Sequence, residues 1–529
     1  MTTRGGFLLL ALILAVYAPY VARGGLLRDD LGFATASRDF PSYTAFQGHL
    51  SSFKTMTARP FSAVLHGTAY WFLGASPHAH HALNLSLFAA SVILVYLALA
   101  RHLGPGWALL TGALAAVYPA ASGTVFSAMM MNSNLAAACW ATALWLASAR
   151  PPRMALATGF LMLSGLSYES FVPLFPAVSL AAWSGLSTRG RLLRSTAPLL
   201  VVVAGLGLYR FVLERAVFHT TFTRASLPSH LIERAGLAWL DGARVALVDS
   251  VQVSIHALRN LSLAPWPELV VLVIVTGLIL AWLSRVRGLG SPDADSIRLI
   301  LCAALGLFLA AQVIFLFSDY RPTARGFENR TQGAIRFATA FLLASALVAL
   351  AGARPRWARL AGRACTLTLL GLFTLGTVGQ REGWIAAAQY NQEIVAEIGQ
   401  AIRDSGIGDR QSLTIVAVID RPFVHSVNAE PIFRTSWDLG PALELAYPGL
   451  RVRANVYEPK RATVDRVGIT LDGDWTAPFP FRYFRTGEPG LRWVRSEQEW
   501  AGLATERRGA VSLKHSPRPL DVKRDPPAT

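Results

Sequence analysis

Two adjacent carboxylates follow the first long apolar stretch of the chain. Asp29 and Asp30 lie in the segment Arg-Asp-Asp-Leu-Gly-Phe, shortly after an apolar run that ends near residue 22. A carboxylate at a bilayer surface can act as the general base that takes the proton of a hydroxyl, while its neighbour orients the acceptor or a cation. The alternative is a solvated pair in a loop with no chemical role. Acidic side chains are costly at membrane helices, so the position favours a functional role.

The segments around these carboxylates are predicted to be membrane helices. Of the 529 residues, 53% are hydrophobic and 15% are charged, whereas soluble chains have about 25% charged residues. The formal net charge is +17, but the arginines lie in short tracts between apolar runs, which is typical of membrane topology. We therefore expect membrane lipids, and no nucleic acid, as partners. The three cysteines lie inside apolar runs, so neither a disulfide nor a metal site is predicted from them.

Eleven apolar stretches are predicted to be transmembrane helices, which need roughly 17–25 residues each. The fifth and sixth are short and nearly continuous with each other. The stretches lie near 6–22, 79–100, 106–121, 129–148, 154–168, 170–186, 196–213, 266–284, 298–317, 335–352 and 364–380.

Arginine clusters orient these helices. Every even-numbered helix is followed by basic residues, beginning with Arg101 after the second helix and Arg150 after the fourth. By the positive-inside rule these ends are cytoplasmic, and so is the N-terminus. We expect a multi-pass protein of a bacterial inner membrane, with segments 23–77, 214–265 and 318–334 outside the cytoplasm.

The C-terminal part is predicted to be a separate, small α+β domain outside the cytoplasm. The predicted division is 1–380 for the membrane domain, 381–515 for the α+β domain and 516–529 for a disordered tail rich in proline and charge. Helical spacing over 384–404 is followed by strand-like runs. These runs are Leu413–Ile419, Val452–Tyr457, Val464–Leu471 and Phe481–Phe484.

Several motifs of the N-terminal third resemble the GT-C superfamily of membrane glycosyltransferases. The likeness is to the branch with bacterial polyprenyl-phosphate-sugar transferases and the protein O-mannosyltransferases that carry TPR repeats. It covers about residues 1–190, and the remainder only by helix number and loop placement. The motifs are Asp29-Asp30, Arg59-Pro60, Gly74 with His81-Ala82-Leu83-Asn84, Tyr118-Pro119 through Trp145, and Gly165 through Ser170.

The resemblance implies an inverting transfer of a sugar from a polyprenyl phosphate to a hydroxyl outside the cytoplasm. The acceptor is a glycan, a lipid or a protein. Asp29 or Asp30 is then the general base, and Asp29 is preferred. The sequence lacks the carboxylate that often follows Pro119 in related chains. The protein either does without it or uses Glu169 instead, and a divalent cation is left open.

A departing phosphate also requires a cationic clamp, and the planar fork of arginine suits phosphate oxygens. The arginines of the segment around 318–336 are unusual for an outer loop, and we expect them to bind the donor together with Arg59. The alternative is arginines near a helix end whose charged groups reach the membrane surface. The candidates in this segment are Arg321, Arg325, Arg330 and Arg336.

Three other functions stay open from the sequence. A transporter or flippase would be expected to have broken helix pairs and charges near the bilayer midplane, and the sequence has neither clearly. A polysaccharide polymerase or ligase would rely on Arg and His in outer loops, without an acidic pair after the first helix. A non-catalytic membrane scaffold is opposed only by the acidic pair.

Overall fold

The computed structural model describes residues 2–509 except 184–189, 215, 217–230, 286–293, 317–319, 354, 407–411, 421–422 and 427–428. The predicted disordered tail therefore lies outside the described residues, as does Asp319. The chain divides into two compact units, Met1–Glu393 with Phe423–Phe433, and Ile394–Pro422 with Arg434–Thr529. The division of the chain at residues 380 and 381 stays a prediction.

The first unit is helical. Its described α-helices are α1 (Thr2–Arg23), α2 (Asp29–Asp39), α3 (Tyr43–Ser52), α4 (Lys54–Thr57), α5 (Pro60–Leu73), α6 (Pro77–Ala100), α7 (Pro105–Ala116), α8 (Gly123–Phe126), α9 (Met131–Ala147), α10 (Met154–Ser167), α11 (Pro176–Trp183), α12 (Gly190–Leu208), α13 (Leu231–Gly236), α14 (Gly242–Arg244), α15 (Ser250–Ala257), α16 (Trp266–Arg285), α17 (Ala294–Ala311), α18 (Gly333–Ala351) and the greater part of α19 (Arg356–Asp404), whose residues from Ile394 onward belong to the second unit. Six 3-10 helices also lie in its described part, at Pro119–Ala121, Ala128–Met130, Glu169–Leu174, Leu258–Leu263, Gln312–Leu316 and Phe327–Gln332. Short π-helical turns occur at Tyr209–Leu213, Leu237–Asp241 and Val245–Asp249.

The starts of several helices follow from local chemistry. The hydroxyl oxygens of Ser42 and Ser76 accept backbone N–H bonds at the starts of α3 and α6. Proline is the first residue of α5, α6 and α7, a position where the missing N–H costs nothing because it would have no helical partner.

The prediction of a mainly helical membrane protein with a small strand-containing C-terminal part is confirmed. Among the described residues, seven helices are long and apolar enough to cross a membrane, and an eighth results if the bent pair Pro105–Ala116 and Pro119–Phe126 is one span. The seven are Thr3–Arg23, Pro77–Ala100, Ser195–Leu213, Trp266–Ser284, Ile297–Leu316, Phe327–Ala351 and Arg356–Asp404. The other three predicted spans correspond to the shorter helices α9, α10 and α11, which have 17, 14 and 8 residues.

Helix α19 is continuous over 49 residues and passes without interruption through residues 380 and 381. Arg381 and Glu382 were expected at the beginning of a soluble segment, but both are buried. Arg381 Nη2 lies 2.5 Å from Glu268 Oε2 and 2.6 Å from Glu382 Oε1. Arg23 at the end of α1 lies 3.0 Å from each of the same two glutamates. Two positive and two negative charges thus join α1, α16 and α19. Because these charges pair with one another, Arg381 and Glu382 can stay buried within a continuous helix.

The second unit contains a mixed sheet with strand order β2-β1-β6-β7, in which β1 is parallel to β2 and β6 while β7 is antiparallel to β6. A smaller antiparallel sheet has the order β3-β4-β5. The strands are β1 (Ser412–Val418), β2 (Arg451–Val456), β3 (Ala462–Val464), β4 (Gly468–Leu471), β5 (Trp475–Pro478), β6 (Phe481–Arg485) and β7 (Arg492–Val494), and the further helices are α20 (Ser436–Ala446) and α21 (Glu497–Gly509).

The single strand predicted over Val464–Leu471 is two strands joined by a turn. The Asp465 carboxylate accepts the backbone N–H groups of Val467, at 2.8 Å, and Gly468, at 3.0 Å. An aspartate that bonds the backbone in this way favours a turn over continued strand. The other three predicted strands correspond to β1, β2 and β6.

Arg381→Ala should destabilise the first unit strongly, because it leaves Glu268 and Glu382 without their shared buried partner. The expected loss is about 3–5 kcal/mol, visible as a lower melting temperature of the detergent-solubilised protein. The control is Arg434→Ala, which removes an exposed pair with Glu458 and should cost less than about 1 kcal/mol. Equal melting temperatures for the two variants would contradict a stabilising role for the cluster.

Candidate active site

Asp30 is a fully buried carboxylate that joins α2 to the turn before α9. Its oxygens accept the backbone N–H groups of Leu27, at 3.2 Å, Ala128, at 3.3 Å, and Met129, at 2.6 Å. The Tyr70 hydroxyl donates to it at 3.4 Å. A carboxylate with this many donors is held in place and has little capacity left for a substrate. Asp30 therefore fixes the position of its neighbours.

The backbone just before the acidic pair is strained. Arg28 has a φ of 54°, in the left-handed region that residues with a side chain rarely adopt. Such a conformation persists only where surrounding contacts enforce it. The hydrogen bonds of Asp30 to Leu27 and to the turn at Ala128 supply that enforcement, and they set the direction of Asp29.

Asp29 is the accessible member of the pair. Its side chain is 45% exposed, and its Oδ2 atom lies 3.2 Å from Nη1 of Arg330. The Arg330 guanidinium stacks on the ring of Phe327, 4.0 Å from its centroid. The structure thus brings a predicted base and a predicted clamp residue, 301 positions apart in the chain, into direct contact.

The 3-10 helix that carries Arg330 is anchored by its neighbour Asn329. Asn329 Oδ1 accepts the backbone N–H of Gly123 at 2.8 Å, and its amide donates to the Ser122 hydroxyl at 3.1 Å. A Cβ at Gly123 would collide with the Asn329 side chain, so glycine is required for this approach. The segment after Pro119 is thus held by the side-chain amide of Asn329.

A second charged group lies around Glu169. Arg59 binds both oxygens of this carboxylate, with Nε at 2.7 Å from Oε2, and Arg210 lies 3.5 Å from Oε2. Burial raises the pKa of Glu169, but the charge and hydrogen bonds of Arg59 and the charge of Arg210 outweigh it and lower the pKa to about 2. Glu169 is therefore ionised at all physiological pH values.

Tyr168 connects the two charged groups. The Arg59 guanidinium lies over its ring at 4.4 Å, and its hydroxyl is within electrostatic range of Arg330 as well as of Arg59 and Glu169. Three guanidinium groups (Arg59, Arg210 and Arg330) therefore lie in one region of the first unit, paired with the carboxylates of Asp29, Glu169 and Glu214. Guanidinium groups suit the oxygens of an anion such as a phosphate.

Other predicted residues are placed differently. Arg336 does not join this group, because it is buried in α18, where it donates to the carbonyl of Ala121 and lies 4.6 Å from the ring of Phe88. Its surroundings are those of a packing residue. Arg321 and Arg325 are exposed on the segment that leads to Arg330.

Two polar residues near the site were missed by the sequence reasoning. Arg210 lies at the end of a predicted span, and an arginine inside an apolar run is itself a signal of function or pairing. His66 lies on α5, one turn before Tyr70, and no sequence signal separates it from an ordinary packed histidine.

No group of three or more metal-ligating His, Cys, Asp or Glu side chains occurs in the part of the chain that the structure describes. The three histidines at the start of α6 each bond a backbone carbonyl. His78 bonds Val21 at 2.7 Å, His80 bonds Gly74 at 2.8 Å and His81 bonds Gly25 at 3.1 Å.

No protein-family model and no curated protein matches the chain. Among solved structures it is similar to ArnT from Cupriavidus metallidurans bound to undecaprenyl phosphate, with 14% identity over 85% of this chain and 89% of that chain, and a TM-score of 0.31. The apo state of the same ArnT covers the same shares at 17% identity and a TM-score of 0.32. Because these TM-scores are low, we base the function on the site alone.

The stability of the protein should depend on pH through Asp30. Burial raises the pKa of Asp30 to about 7, against the lowering effect of its three N–H donors. A raised pKa stabilises the fold below the ordinary pKa of the carboxyl, and this stabilisation is lost as the pH rises through about 7. The melting temperature should therefore fall between about pH 4 and pH 7 and level off above that pH.

Asp30→Asn should lower the melting temperature at every pH but flatten this dependence. The control is Asp39→Asn, which changes an exposed residue of the same helix and should leave the profile of the wild type unchanged. A profile of Asp30→Asn as steep as that of the wild type would show that another group titrates.

Proposed function

We propose that the protein is a membrane glycosyltransferase that moves a sugar from a polyprenyl phosphate to an acceptor hydroxyl, with inversion at the anomeric carbon. The observation that carries this proposal is the contact between the half-exposed Asp29 and Arg330, beside the Arg59–Glu169–Arg210 group. A candidate general base thus lies next to arginines that could bind a phosphate. Glycosyl transfer requires this proximity, because the acceptor hydroxyl and the phosphate are bonded in turn to the same anomeric carbon.

Asp29 is the general base in this proposal. Its Oδ2 atom carries the ion pair with Arg330, and Oδ1 takes the proton of the acceptor hydroxyl. The acceptor oxygen then bonds to the anomeric carbon on the side opposite the phosphate. The bond between that carbon and the phosphate oxygen breaks, and the electron pair leaves with the polyprenyl phosphate. Asp30, whose oxygens are occupied by backbone donors, keeps Asp29 in position.

The arginines bind the phosphate and stabilise the charge that develops as it departs. Arg330 is the nearest to the base, and Arg59 and Arg210 share Glu169, which holds their guanidinium groups in place. Arg321 and Arg325, exposed on the segment before Arg330, are further donor-binding candidates. Arg336 is left out of the clamp because it is enclosed in the helix core.

The membrane orientation follows from the arginine clusters of the sequence. We place the N-terminus in the cytoplasm and the site, with the C-terminal α+β domain, outside the cytoplasm of a bacterial inner membrane. The contact between Asp29 and Arg330 supports this placement, because it joins two of the segments assigned to the same side of the membrane. The lipid-linked donor would reach the site from the adjacent leaflet.

Asp29→Asn keeps the size of the side chain but removes the base, so transfer should fall by about 10²–10⁴-fold. Donor affinity should not fall, because loss of the Asp29 charge leaves Arg330 available to the phosphate. The measurement is consumption of polyprenyl-phosphate sugars by the purified protein, with Asp39→Asn as the control. Full transfer by Asp29→Asn would assign the acidic pair to the structure alone and favour a transporter or a scaffold.

Arg330→Ala should weaken binding of polyprenyl phosphate and slow transfer, because the clamp loses the residue next to the base. Lysine at this position should restore the charge but only part of the activity, since it lacks the planar fork. Arg325→Ala, an exposed change five residues earlier, is the comparison and should have a smaller effect. If Arg330→Ala bound polyprenyl phosphate as tightly as the wild type, Arg330 would have no place in the clamp.

A further inference from the structure

One face of α5, together with the residue before it, is polar and directed into the first unit. Arg59, Ser62, His66 and Tyr70 follow each other at intervals of three or four residues, which places them in one row along the helix. The opposite face carries the exposed apolar side chains of Phe61, Val64 and Phe72. The helix is thus amphipathic, with its polar row toward the candidate site.

Three members of this row have partners. Arg59 binds Glu169, and the Ser62 hydroxyl donates to the carbonyl of Ser167. Tyr70 donates to Asp30 at 3.4 Å. The row therefore runs from the arginine of the proposed phosphate site at one end to the carboxylate that positions the base at the other.

His66, in the middle of the row, is fully buried, and neither of its ring nitrogens has a hydrogen-bond partner among the described residues. Its ring is nearly parallel to that of Phe33, with centroids 6.0 Å apart and planes at 15°, and it also stacks with Tyr70 at 6.1 Å. An unsatisfied buried polar group costs about 1–3 kcal/mol. A buried polar group without a partner calls for an explanation, and a ligand that supplies the missing bond is one.

The charge state of His66 limits what that ligand can be. Burial lowers its pKa, and the charges of His80 and Arg59 lower it further, to about 3. The imidazole is therefore neutral, with one N–H donor and one acceptor nitrogen. A phosphate offers only acceptors, so it would leave the second nitrogen facing negative charge. A hydroxyl group donates and accepts, and it matches both nitrogens.

We propose that His66 binds hydroxyl groups of the sugar that the enzyme transfers, between the phosphate site at Arg59 and the base positioned by Asp30. This inference rests on the proposed function and narrows it. The ligand at this point of the site is the hydroxyl-bearing ring of the donor, not its phosphate. His66 is accordingly a specificity-determining residue whose side chain distinguishes a glycosylated polyprenyl phosphate from the bare lipid phosphate.

The experiment compares two ligands with two variants of the full-length protein in detergent. The ligands are the polyprenyl-phosphate sugar that the wild type consumes from a panel of hexoses and pentoses, and polyprenyl phosphate without a sugar. His66→Phe keeps an aromatic ring but removes both hydrogen bonds, whereas His66→Gln keeps a donor and an acceptor. Binding is measured by calorimetry, and melting temperatures verify that both variants fold.

We expect His66→Phe to weaken binding of the glycosylated lipid about 10-fold, as the loss of one to two neutral hydrogen bonds predicts, with no change for polyprenyl phosphate. His66→Gln should recover most of the loss. Equal weakening for both ligands, or no weakening for either, would show that His66 acts in packing or at the phosphate. A wild type that consumes no lipid-linked sugar would instead overturn the proposed function, and the two failures are thus distinguishable.

Discussion

The geometry of the site depends on one buried carboxylate. Asp30 has no contact with solvent, and burial of a carboxyl is tolerated only where donors replace the lost water. Its donors come from the residues just before α2 and from the turn at Ala128 and Met129. The chain after the first membrane helix is therefore bound to the start of α9. This constraint holds Arg28 in its strained backbone conformation. It leaves the Asp29 side chain partly exposed and in contact with Arg330.

Charge pairing explains how so many ionic groups are accommodated near apolar helices. Glu169 is held between Arg59 and Arg210, Asp29 is paired with Arg330, and a separate four-charge group joins α1, α16 and α19. An unpaired charge in such surroundings costs several kcal/mol, whereas a paired and hydrogen-bonded one can be retained. The two arrangements differ in exposure. Arg381 and Glu382 are enclosed and satisfied by each other, while Asp29 and Glu169 remain partly open and can exchange a partner for a substrate.

Much of the helical architecture could be predicted from the sequence because long apolar runs and arginine clusters are local signals. Pairing between distant segments has no such signal. Helix α19 continues past residue 380, and Arg381 finds its partners on α1 and α16, which are 366 and 113 positions away in the chain. The sequence likewise could not distinguish Arg336 from Arg330. The two arginines lie in the same segment, but Arg336 packs against the Phe88 ring. Asp29, Arg59, Glu169 and Arg330 were found because their types and positions are unusual for membrane-edge residues. Arg210 stands inside an apolar run, which is a sequence signal of pairing, but its partners are visible only in the structure. His66 acquires its significance only from its neighbours in space.

The different roles of Asp29 and Asp30 follow from the geometry of a helix start. Successive residues on a helix point about 100° apart, so two adjacent side chains cannot face the same surroundings. Here the second points toward backbone donors and is consumed by them, and the first points toward Arg330 and the solvent. In the proposed mechanism a general base must keep one carboxylate oxygen free for the acceptor hydroxyl. A carboxylate that only holds the base in position can use both oxygens for hydrogen bonds within the protein. The proposed mechanism therefore depends on the order of the two residues. A buried first residue and an exposed second one would place the free carboxylate oxygen away from the arginines.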